Sequence, residues 1–285
     1  MKLDKKRTLR IIRAALKEDI GIGDVTTVNT VGKLGNAKAA IISNEDCIIC
    51  GMDIAEWTVN ALDENVRFKP EVNDGEPIHP GKEVAFLEGR ARSILLAERT
   101  MLNFLCFLSG IATKANNFAK KTKNYKAKIY DTRKTFPLLR YLEKYAVLTG
   151  GGYNHRFGLW DQALVKENHF KAGKLSARTH FIKDLRRKLT KNIKIEVEVE
   201  SLDQFRKVLG ESPDIIMLDN MTVEDAKKAV LIRNKAEGEK KPLLEASGGI
   251  TIENVEEYAK TGVDRISIGA LTDSVESADM SLKII

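Results

Sequence analysis

The first 110 residues mix helical and strand-like patterns without a repeating unit. Apolar residues in "MKLDKKRTLRIIRAALKEDIG" fall at helical spacing between charges, which predicts an amphipathic helix rather than a signal peptide. In "EPIHPGKEVAFLEGRARS", Pro and Gly interrupt short apolar runs, which favours turns and antiparallel strands. The segment "SILLAERTMLNFLCFLSGIAT" predicts a long helix. Its apolar stripe is wider than one packed face requires, so we expect burial on two sides, between domains or subunits.

After this helix the pattern changes to short β-type runs that alternate with helical segments. The runs are "AKIYD", "QALVK", "IEVEVE", "DIIMLD", "LLEAS" and "DRISIGA". This alternation predicts βα units around a parallel sheet. One helix among them is well marked, with Pro137 in its first turn, apolar Leu138, Leu142 and Ala146 on one face, and Gly150 as its stop.

Polar residues and glycines follow the predicted strands. They are Asp131 to Lys134, Lys166, Glu198 and Glu200, Asp219 and Asn220, Glu245 with Ser247, Gly248 and Gly249, and finally Gly269 and Ala270. In a parallel βα barrel the carboxyl ends of the strands share one face, where active sites are built. The sequence therefore predicts a functional site at this face.

Four cations of this set, Arg133, Lys134, Arg156 and Lys166, would repel one another unless an anion lay between them. Arginine suits carboxylates and lysine suits phosphate oxygens, so we expect a highly charged anionic ligand. The alternative is that each cation pairs with an acid on a neighbouring helix.

The acids and glycines extend the prediction to a metal and a phosphate. Alternation places Glu196, Glu198 and Glu200 on one side of a strand, which we expect to face a wet, polar space or a metal. Glu198 with Asp219 could hold Mg²⁺, although an exposed edge strand would show the same pattern. Two glycines in "EASGGITIEN", before a helix expected near Thr251, favour a phosphate cradle over a simple tight turn, with "SIGAL" as its partner.

Composition narrows the classes of function. Lys and Arg total 47 against 40 acids, giving a net charge of +7, but the cations are spread along the chain, which argues against a nucleic-acid-binding arm. Nowhere do 18 apolar residues follow one another, so no membrane span is predicted. Three cysteines without an export signal fit the reducing cytoplasm. We expect Cys47 and Cys50 of "CIIC" to be small buried residues, because no second pair completes a zinc site.

Several motifs together resemble the quinolinate phosphoribosyltransferase family, the nicotinate-nucleotide pyrophosphorylases, which are type II phosphoribosyltransferases. They are "EDIGIGDVTT", "AERTMLNFLCFLSGIAT", "DTRKT", "LEKYAVLTGGGYNHRFGLWDQALVKENH", "EVEVES", "MLDN", "EASGGI" and "GVDRISIGALT". The resemblance covers nearly the whole chain in order. It implies an α/β fold with an N-terminal α/β sandwich domain, residues 1–112 joined by the tail 273–285, and an incomplete α/β barrel, residues 113–272.

The resemblance also implies a reaction and its residues. Quinolinate and phosphoribosyl pyrophosphate would give nicotinate mononucleotide, pyrophosphate and CO₂ with Mg²⁺, in NAD biosynthesis. By position the quinolinate clamp would be Thr132, Arg133, His155 and Arg156, with Arg99 reaching across a homodimer; Lys134 and Lys166 would lie between the substrates. Glu198 and Asp219 would hold the ribose and Mg²⁺, and Ser247, Gly248 and Gly249 with Ile268, Gly269 and Ala270 would bind the 5′-phosphate.

One residue departs from the family pattern. Leu138 stands where the family usually has Gly after the Pro of "TFP", and we expect an effect on packing more than on chemistry. Three alternatives remain open: a related pyrophosphorylase associated with molybdate transport, a non-catalytic phosphate- or nucleotide-binding barrel, and a basic RNA-binding module.

Overall fold

A four-stranded antiparallel sheet organises the first of two units in the structure, a computed structural model that describes residues 2–174, 180–237 and 241–285. This unit contains the chain up to Asn116 together with Thr135–Gly151 and Leu271–Ile285. Its strands are β1 (Asn36–Ser43), β2 (Cys47–Ile48), β3 (Arg67–Pro70), β4 (Pro77–Ile78), β5 (Glu83–Arg90) and β12 (Met280–Ile284). Its helices are α1 (Lys5–Ile20), α2 (Thr27–Thr30), α3 (Met52–Asn60), α4 (Ala91–Thr122), α5 (Arg140–Thr149) and α11 (Ala270–Asp273), of which α4 and α11 each extend partly into the second unit.

The C-terminal strand returns to this sheet, as the resemblance implied. The strand order is β12-β1-β5-β3, and Ile41 of β1 lies opposite both Leu282 of β12 and Ala85 of β5. Residues of β1, β5 and α4 share one buried apolar cluster with Met280 of the tail. The predicted N-terminal α/β sandwich is therefore confirmed.

Helix α4 confirms the prediction of a long helix with a wide apolar stripe. Ile94, Met101, Leu105, Leu108 and Ala112 are all fully buried. By length and composition alone α4 could cross a membrane, but 61% of its most apolar 18-residue window is buried within the protein. The core helix of a globular domain has the same properties, so this helix is weak evidence for a membrane span.

The two cysteines of "CIIC" are buried, as expected. Cys47 lies on β2, and the backbone N–H of Cys50 donates to Ser109 Oγ of α4 at 2.9 Å. Neither forms a disulfide, and burial raises the pKa of both thiols. They therefore act here as small core residues.

Helix α5 corrects two predictions. It begins at Arg140 rather than near Pro137, because Leu138 has a φ of 68°, which no helix accommodates. It also belongs to the first unit, whereas the sequence placed residues 113–272 together in the barrel. Its end packs closely on α4, since a Cβ at Gly150 would lie 2.2 Å from the carbonyl oxygen of Ala112. Gly150 thus ends the helix as predicted, but the requirement is close approach rather than a left-handed cap.

The second unit is built on a parallel sheet of six strands. The strands are β6 (Lys128–Tyr130), β7 (Ala163–Val165), β8 (Ile195–Val199), β9 (Ile215–Asp219), β10 (Leu243–Ser247) and β11 (Arg265–Ser267). The helices are α6 (Glu167–Gly173), α7 (Phe181–Lys188), α8 (Leu202–Gly210), α9 (Val223–Lys235) and α10 (Val255–Lys260). The order β6-β11-β10-β9-β8-β7 leaves β6 and β7 at the edges, which confirms all six predicted strands and the incomplete α/β barrel.

The two faces of this sheet differ in polarity. Residues paired across parallel strands share a face, and alternate residues along a strand change face. One face carries Val197, Leu218, Ala246 and Ile266, all buried, as expected beneath helices. The opposite, inward face carries the polar side chains of the strands, and it positions the site.

Candidate active site

Parallel register brings the predicted strand-end residues to one edge of the second unit. Asp219 at the end of β9 lies opposite Ser247 at the end of β10, and Ser247 lies opposite Ser267 at the end of β11. Val165 of β7 pairs with Val197 of β8, so Lys166 follows beside Glu198. The register therefore places Lys166, Glu198, Asp219 and Ser247 on the same inward face.

Lys166 and Glu198 form an ion pair between their Nζ and Oε2 atoms. The Lys166 side chain is 44% exposed, whereas that of Glu198 is only 10% exposed. The partner of Lys166 is thus an acid on a strand of the site itself, and not an acid on a neighbouring helix as in the alternative. A ligand that takes Lys166 must therefore compete with Glu198.

Arg133 and Arg156 lie close enough for their charges to interact. Burial lowers the pKa of Arg156, and the positive charge of Arg133 lowers it further. The Arg156 Nη1–H donates to the carbonyl oxygen of Gln162 at 3.0 Å, and the charges of Glu196, Asp161 and Glu198 partly offset the effect of Arg133. Two guanidinium groups in such proximity favour a ligand with negative charge, and carboxylates match their planar donors.

Two side chains next to Arg133, Asp131 and Thr132, accept backbone N–H groups and hold this segment in place. Asp131 is fully buried at the end of β6, and its Oδ1 accepts the backbone N–H of His155 at 2.7 Å. The backbone N–H of Lys134 donates to Thr132 Oγ1 at 3.0 Å, and the Lys134 side chain is exposed. Asp131 thereby joins the segment that carries Arg133 to the one that carries Arg156.

Gly248 and Gly249 form a turn that only glycine fits. Their φ angles are 86° and 61°, in the left-handed region. A Cβ at Gly248 would lie 2.2 Å from Asn220 Oδ1, and the Asn220 backbone N–H donates to the carbonyl oxygen of Ser247 at 2.8 Å. The expected helix near Thr251 begins only at Val255, so the predicted cradle depends on this turn and not on a helix N-terminus directly after it.

The second predicted phosphate loop, Ile268 to Ala270, follows β11 directly. The Ile268 backbone N–H donates to the carbonyl oxygen of Tyr130 at 3.0 Å, and α11 starts at Ala270. Both glycine-containing loops therefore follow neighbouring strands of the same sheet edge.

His155, which the resemblance places in the quinolinate clamp, lies against two carboxylates of the sheet. Its side chain is buried, with Nε2 lying 3.1 Å from Glu196 Oε2 and 3.2 Å from Glu245 Oε1. Its Nδ1 accepts the backbone N–H of Arg156 at 2.7 Å. Both ring nitrogens thus have protein partners, and a direct contact with substrate does not follow from this geometry.

Glu196 corrects the expectation of a wet, polar space, because its side chain is fully buried. Glu196 and Glu245 are fully buried, Gln162 Nε2 donates to Glu196 Oε2, and Arg265 Nε lies 2.8 Å from Glu245 Oε2. We refer to His155, Gln162, Glu196, Glu245 and Arg265 as the His155 cluster. Sequence reasoning missed this cluster, although a charged residue such as Arg265 within a buried strand is a signal for a buried partner.

Charges within the His155 cluster shift one another's titration. Burial opposes charge on the ring, but the carboxylates of Glu196 and Glu245 beside Nε2 raise the pKa of His155 to about 9. Burial and the charge of Glu245 raise the pKa of Glu196. Burial also acts to raise the pKa of Glu245, but His155 and Arg265 outweigh it and lower that pKa overall.

Arg99 lies in the first unit, exposed on α4. It lines a groove of about 1150 Å³ together with Arg7, Arg10, Phe104 and Leu138. Its predicted contribution to the site of a neighbouring subunit remains a prediction.

Comparison with known proteins gives one consistent family. Residues 24–109 match the model of the quinolinate phosphoribosyl transferase N-terminal domain, and residues 111–283 match that of the C-terminal domain. A probable nicotinate-nucleotide pyrophosphorylase (carboxylating) of Methanocaldococcus jannaschii is 44% identical over 99% of this chain and 98% of its own length. The enzyme of that name from Mycobacterium leprae is 41% identical over 96% of this chain and 95% of its own length.

Solved structures agree with the sequence comparison. The nicotinate-nucleotide pyrophosphorylase of Francisella tularensis superposes with a TM-score of 0.90 at 39% identity, covering 100% of this chain and 98% of its own. That of Ehrlichia chaffeensis has a TM-score of 0.90 at 37% identity, with complete coverage of both chains.

Proposed function

The chain belongs to the quinolinate phosphoribosyltransferase family, and we propose that the strand ends of its parallel sheet carry out the reaction of that family. Quinolinate takes the phosphoribosyl group of phosphoribosyl pyrophosphate and loses one carboxylate. The products are nicotinate mononucleotide, pyrophosphate and CO₂, a step of NAD biosynthesis. The molybdate-associated and non-catalytic alternatives have no observation in their favour.

The proximity of Arg133 and Arg156 carries this proposal. Two guanidinium groups that repel each other are stabilised by a ligand with two carboxylates. Quinolinate offers adjacent carboxylates on a flat ring, and Thr132 lies in the same binding segment. We assign the clamp to Arg133 and Arg156, with Arg99 of the partner subunit completing it in a homodimer.

The second substrate occupies the remaining strand ends. The turn at Ser247, Gly248 and Gly249 and the loop from Ile268 to Ala270 receive the 5′-phosphate. Lys134 and Lys166 contact the pyrophosphate oxygens. Because these oxygens compete with Glu198 for Lys166, binding frees the Glu198 carboxylate for the ribose hydroxyls.

Mg²⁺ fits the acids of this edge. Glu198 and Asp219 lie on the same face of neighbouring strands, and carboxylate oxygens are the ligands that Mg²⁺ prefers. These two residues would hold the ion, which when bound neutralises charge on the pyrophosphate.

The residues then act on two successive steps. Lys134 and Lys166 stabilise the negative charge of the departing pyrophosphate, and Glu198 offsets the positive charge that develops on the sugar. The arginine clamp holds the quinolinate ring nitrogen at the ribose C1, where it forms the new bond. The quaternary nitrogen next accepts the electron pair of the adjacent carbon–carboxylate bond, CO₂ leaves, and that ring carbon takes a proton.

Binding of quinolinate alone tests the clamp. In isothermal titration calorimetry, Arg133→Ala and Arg156→Ala should each weaken binding by at least about tenfold, since a hydrogen bond to a charged group contributes about 1.5–3 kcal/mol. Arg187→Ala is the matched control, because Arg187 is exposed and pairs with Asp184 on α7. Unchanged affinity in both clamp variants would contradict the assignment.

A further inference from the structure

The segment from Arg156 to Gln162, which we call the Arg156 loop, is closed by two neighbouring hydrogen bonds. The Arg156 Nη1–H donates to the carbonyl oxygen of Gln162 at 3.0 Å. The backbone N–H of Phe157 donates to Asp161 Oδ2 at 2.6 Å. Phe157 directly follows Arg156 and Asp161 directly precedes Gln162. The second bond therefore holds together the two residues that form the first.

Apolar packing does little to fix the tip of the Arg156 loop. Leu159 and Trp160 are 73% and 74% exposed, so they remove little apolar surface from water. Segments with few buried apolar contacts open easily unless hydrogen bonds hold them. The bond from Phe157 to Asp161 consequently has a large share in keeping this loop closed.

Other contacts fix where the loop leaves and rejoins the fold. His155 Nδ1 accepts the Arg156 backbone N–H at 2.7 Å, and the Ala163 backbone N–H at the start of β7 donates to the carbonyl oxygen of Lys194 at 3.0 Å. Neither contact orients the guanidinium, which is held by the Gln162 carbonyl. Because a long side chain loses rotamer entropy when a ligand orders it, an acceptor already in place makes binding less costly.

Asp161 also carries a negative charge that acts on Arg156. Burial and the charge of Arg133 lower the pKa of Arg156, whereas the charges of Glu196, Asp161 and Glu198 act in the opposite direction. A carboxylate near the clamp opposes the approach of an anionic ligand by Coulomb repulsion. The hydrogen bond of Asp161 should thus favour quinolinate binding while its charge disfavours it, and substitutions can separate the two effects.

We infer that Asp161 is a positioning residue for Arg156: by accepting the Phe157 backbone N–H it closes the Arg156 loop and keeps the Gln162 carbonyl where it orients the guanidinium. Asp161 acts through Arg156 and does not itself touch quinolinate. The inference rests on the proposed function for its kinetic consequences, and on the loop alone for its structural ones.

Asp161→Asn and Asp161→Ala separate the hydrogen bond from the charge. Asparagine keeps an oxygen that accepts the Phe157 N–H and removes the charge, so the Michaelis constant for quinolinate should stay within about twofold of the native value or fall. Alanine removes both, and this constant should rise by at least about fivefold, because small misplacements of a binding group are costly. The Michaelis constant for phosphoribosyl pyrophosphate and the turnover at saturating quinolinate should change little in either variant.

Asp184→Ala is the matched control, because Asp184 is an exposed acid of the same unit that pairs with Arg187 on α7. It removes the same charge from the surface without touching the Arg156 loop, and its kinetics should equal those of the native enzyme. Equal rises of the quinolinate constant in Asp161→Asn and Asp161→Ala would assign the effect to charge and overturn the inference. A constant in Asp161→Ala that stays at the native value or falls would overturn it as well.

Trp160 in the Arg156 loop provides a readout that does not depend on the reaction. The chain has two tryptophans, and Trp57→Phe removes the other one, which lies on α3. In this background and without substrate, time-resolved fluorescence anisotropy should show faster local motion of Trp160 in Asp161→Ala than in Asp161→Asn or with Asp161 intact. Equal motion in all three proteins would overturn the inference even if the enzyme uses quinolinate. If quinolinate is not a substrate, faster motion in Asp161→Ala alone would still support the closure of the loop by Asp161, while the proposed function would fail.

Discussion

Lys166 and Glu198 neutralise each other across the ends of β7 and β8, the last two strands at one edge of the parallel sheet. The opposite charges of these two side chains therefore offset each other before substrate arrives. Phosphate oxygens that approach the partly exposed Lys166 ammonium compete with Glu198 for its N–H donors. The acids and cations of the strand ends therefore act as exchangeable partners.

Removing either strand-end carboxylate should affect the sugar and metal subsite alone. We expect Glu198→Gln and Asp219→Asn to lower turnover by about 10²-fold or more, since each removes charge stabilisation in the transition state. Quinolinate binding measured alone should change little. Glu200→Gln, an exposed neighbour after β8, is the control and should keep its turnover. Equal loss of quinolinate affinity in both variants would place these acids in the other subsite.

Replacing Gly248 by alanine tests the proposed role of the turn at Ser247, Gly248 and Gly249 in phosphate binding. A Cβ there would lie 2.2 Å from Asn220 Oδ1 with φ at 86°, so Gly248→Ala should destabilise the protein by about 1–3 kcal/mol and raise the Michaelis constant for phosphoribosyl pyrophosphate. Gly210→Ala, where a Cβ meets nothing within 4 Å, is the control. Chemical denaturation and initial rates would measure both effects. A stable Gly248→Ala enzyme with unchanged substrate affinity would be inconsistent with this turn.

The positive φ of Leu138 gives a physical reason for the glycine that the resemblance led us to expect at this position. Its φ of 68° costs a residue with a Cβ about 1–2 kcal/mol, and its side chain is 90% exposed, so packing returns little. Leu138→Gly should therefore unfold at the same or a higher temperature than the native protein, and Leu138→Val at a lower one, because β-branched residues tolerate this region worst. A Val variant as stable as the native protein would contradict the backbone assignment.

Subunit mixing tests the role proposed for Arg99. Arg99→Ala and Arg133→Ala homodimers should each be nearly inactive. After subunit exchange, roughly a quarter of the native activity should return, since half the dimers are mixed and half of their sites are intact. Arg10→Ala, another cation of the same groove, should give an active homodimer. If native mass spectrometry shows exchange without recovery, Arg99 does not act across the interface.

The six strands of the parallel sheet and the face that carries their polar ends could be predicted from sequence. Alternating and continuous apolar runs mark β6 to β11, and the polar residues after them identify the functional edge. The period of two also placed Glu196 and Glu198 correctly on one face. Depth along the strand was not predictable, because the step of two residues from Glu198 back to Glu196 moves the side chain about 6–7 Å further into the protein.

Partners in the His155 cluster come from distant parts of the chain, which no local pattern records. His155 meets Glu196 and Glu245, and Arg265 approaches from β11. Likewise Pro137 predicted a helix start, although the backbone at Leu138 delays helix α5 to Arg140. In both cases tertiary pairing or a single strained dihedral decides the outcome.

Release of CO₂ tests the central claim most directly. Quinolinate labelled in its 2-carboxylate should be incubated with the native protein, phosphoribosyl pyrophosphate and Mg²⁺, and the labelled gas and nucleotide measured together. We expect equal amounts of labelled CO₂ and nicotinate mononucleotide, and little reaction of nicotinic acid, which lacks the 2-carboxylate that the arginine clamp holds. Nucleotide formation from nicotinic acid at a comparable rate, or no labelled CO₂ from quinolinate, would contradict the account.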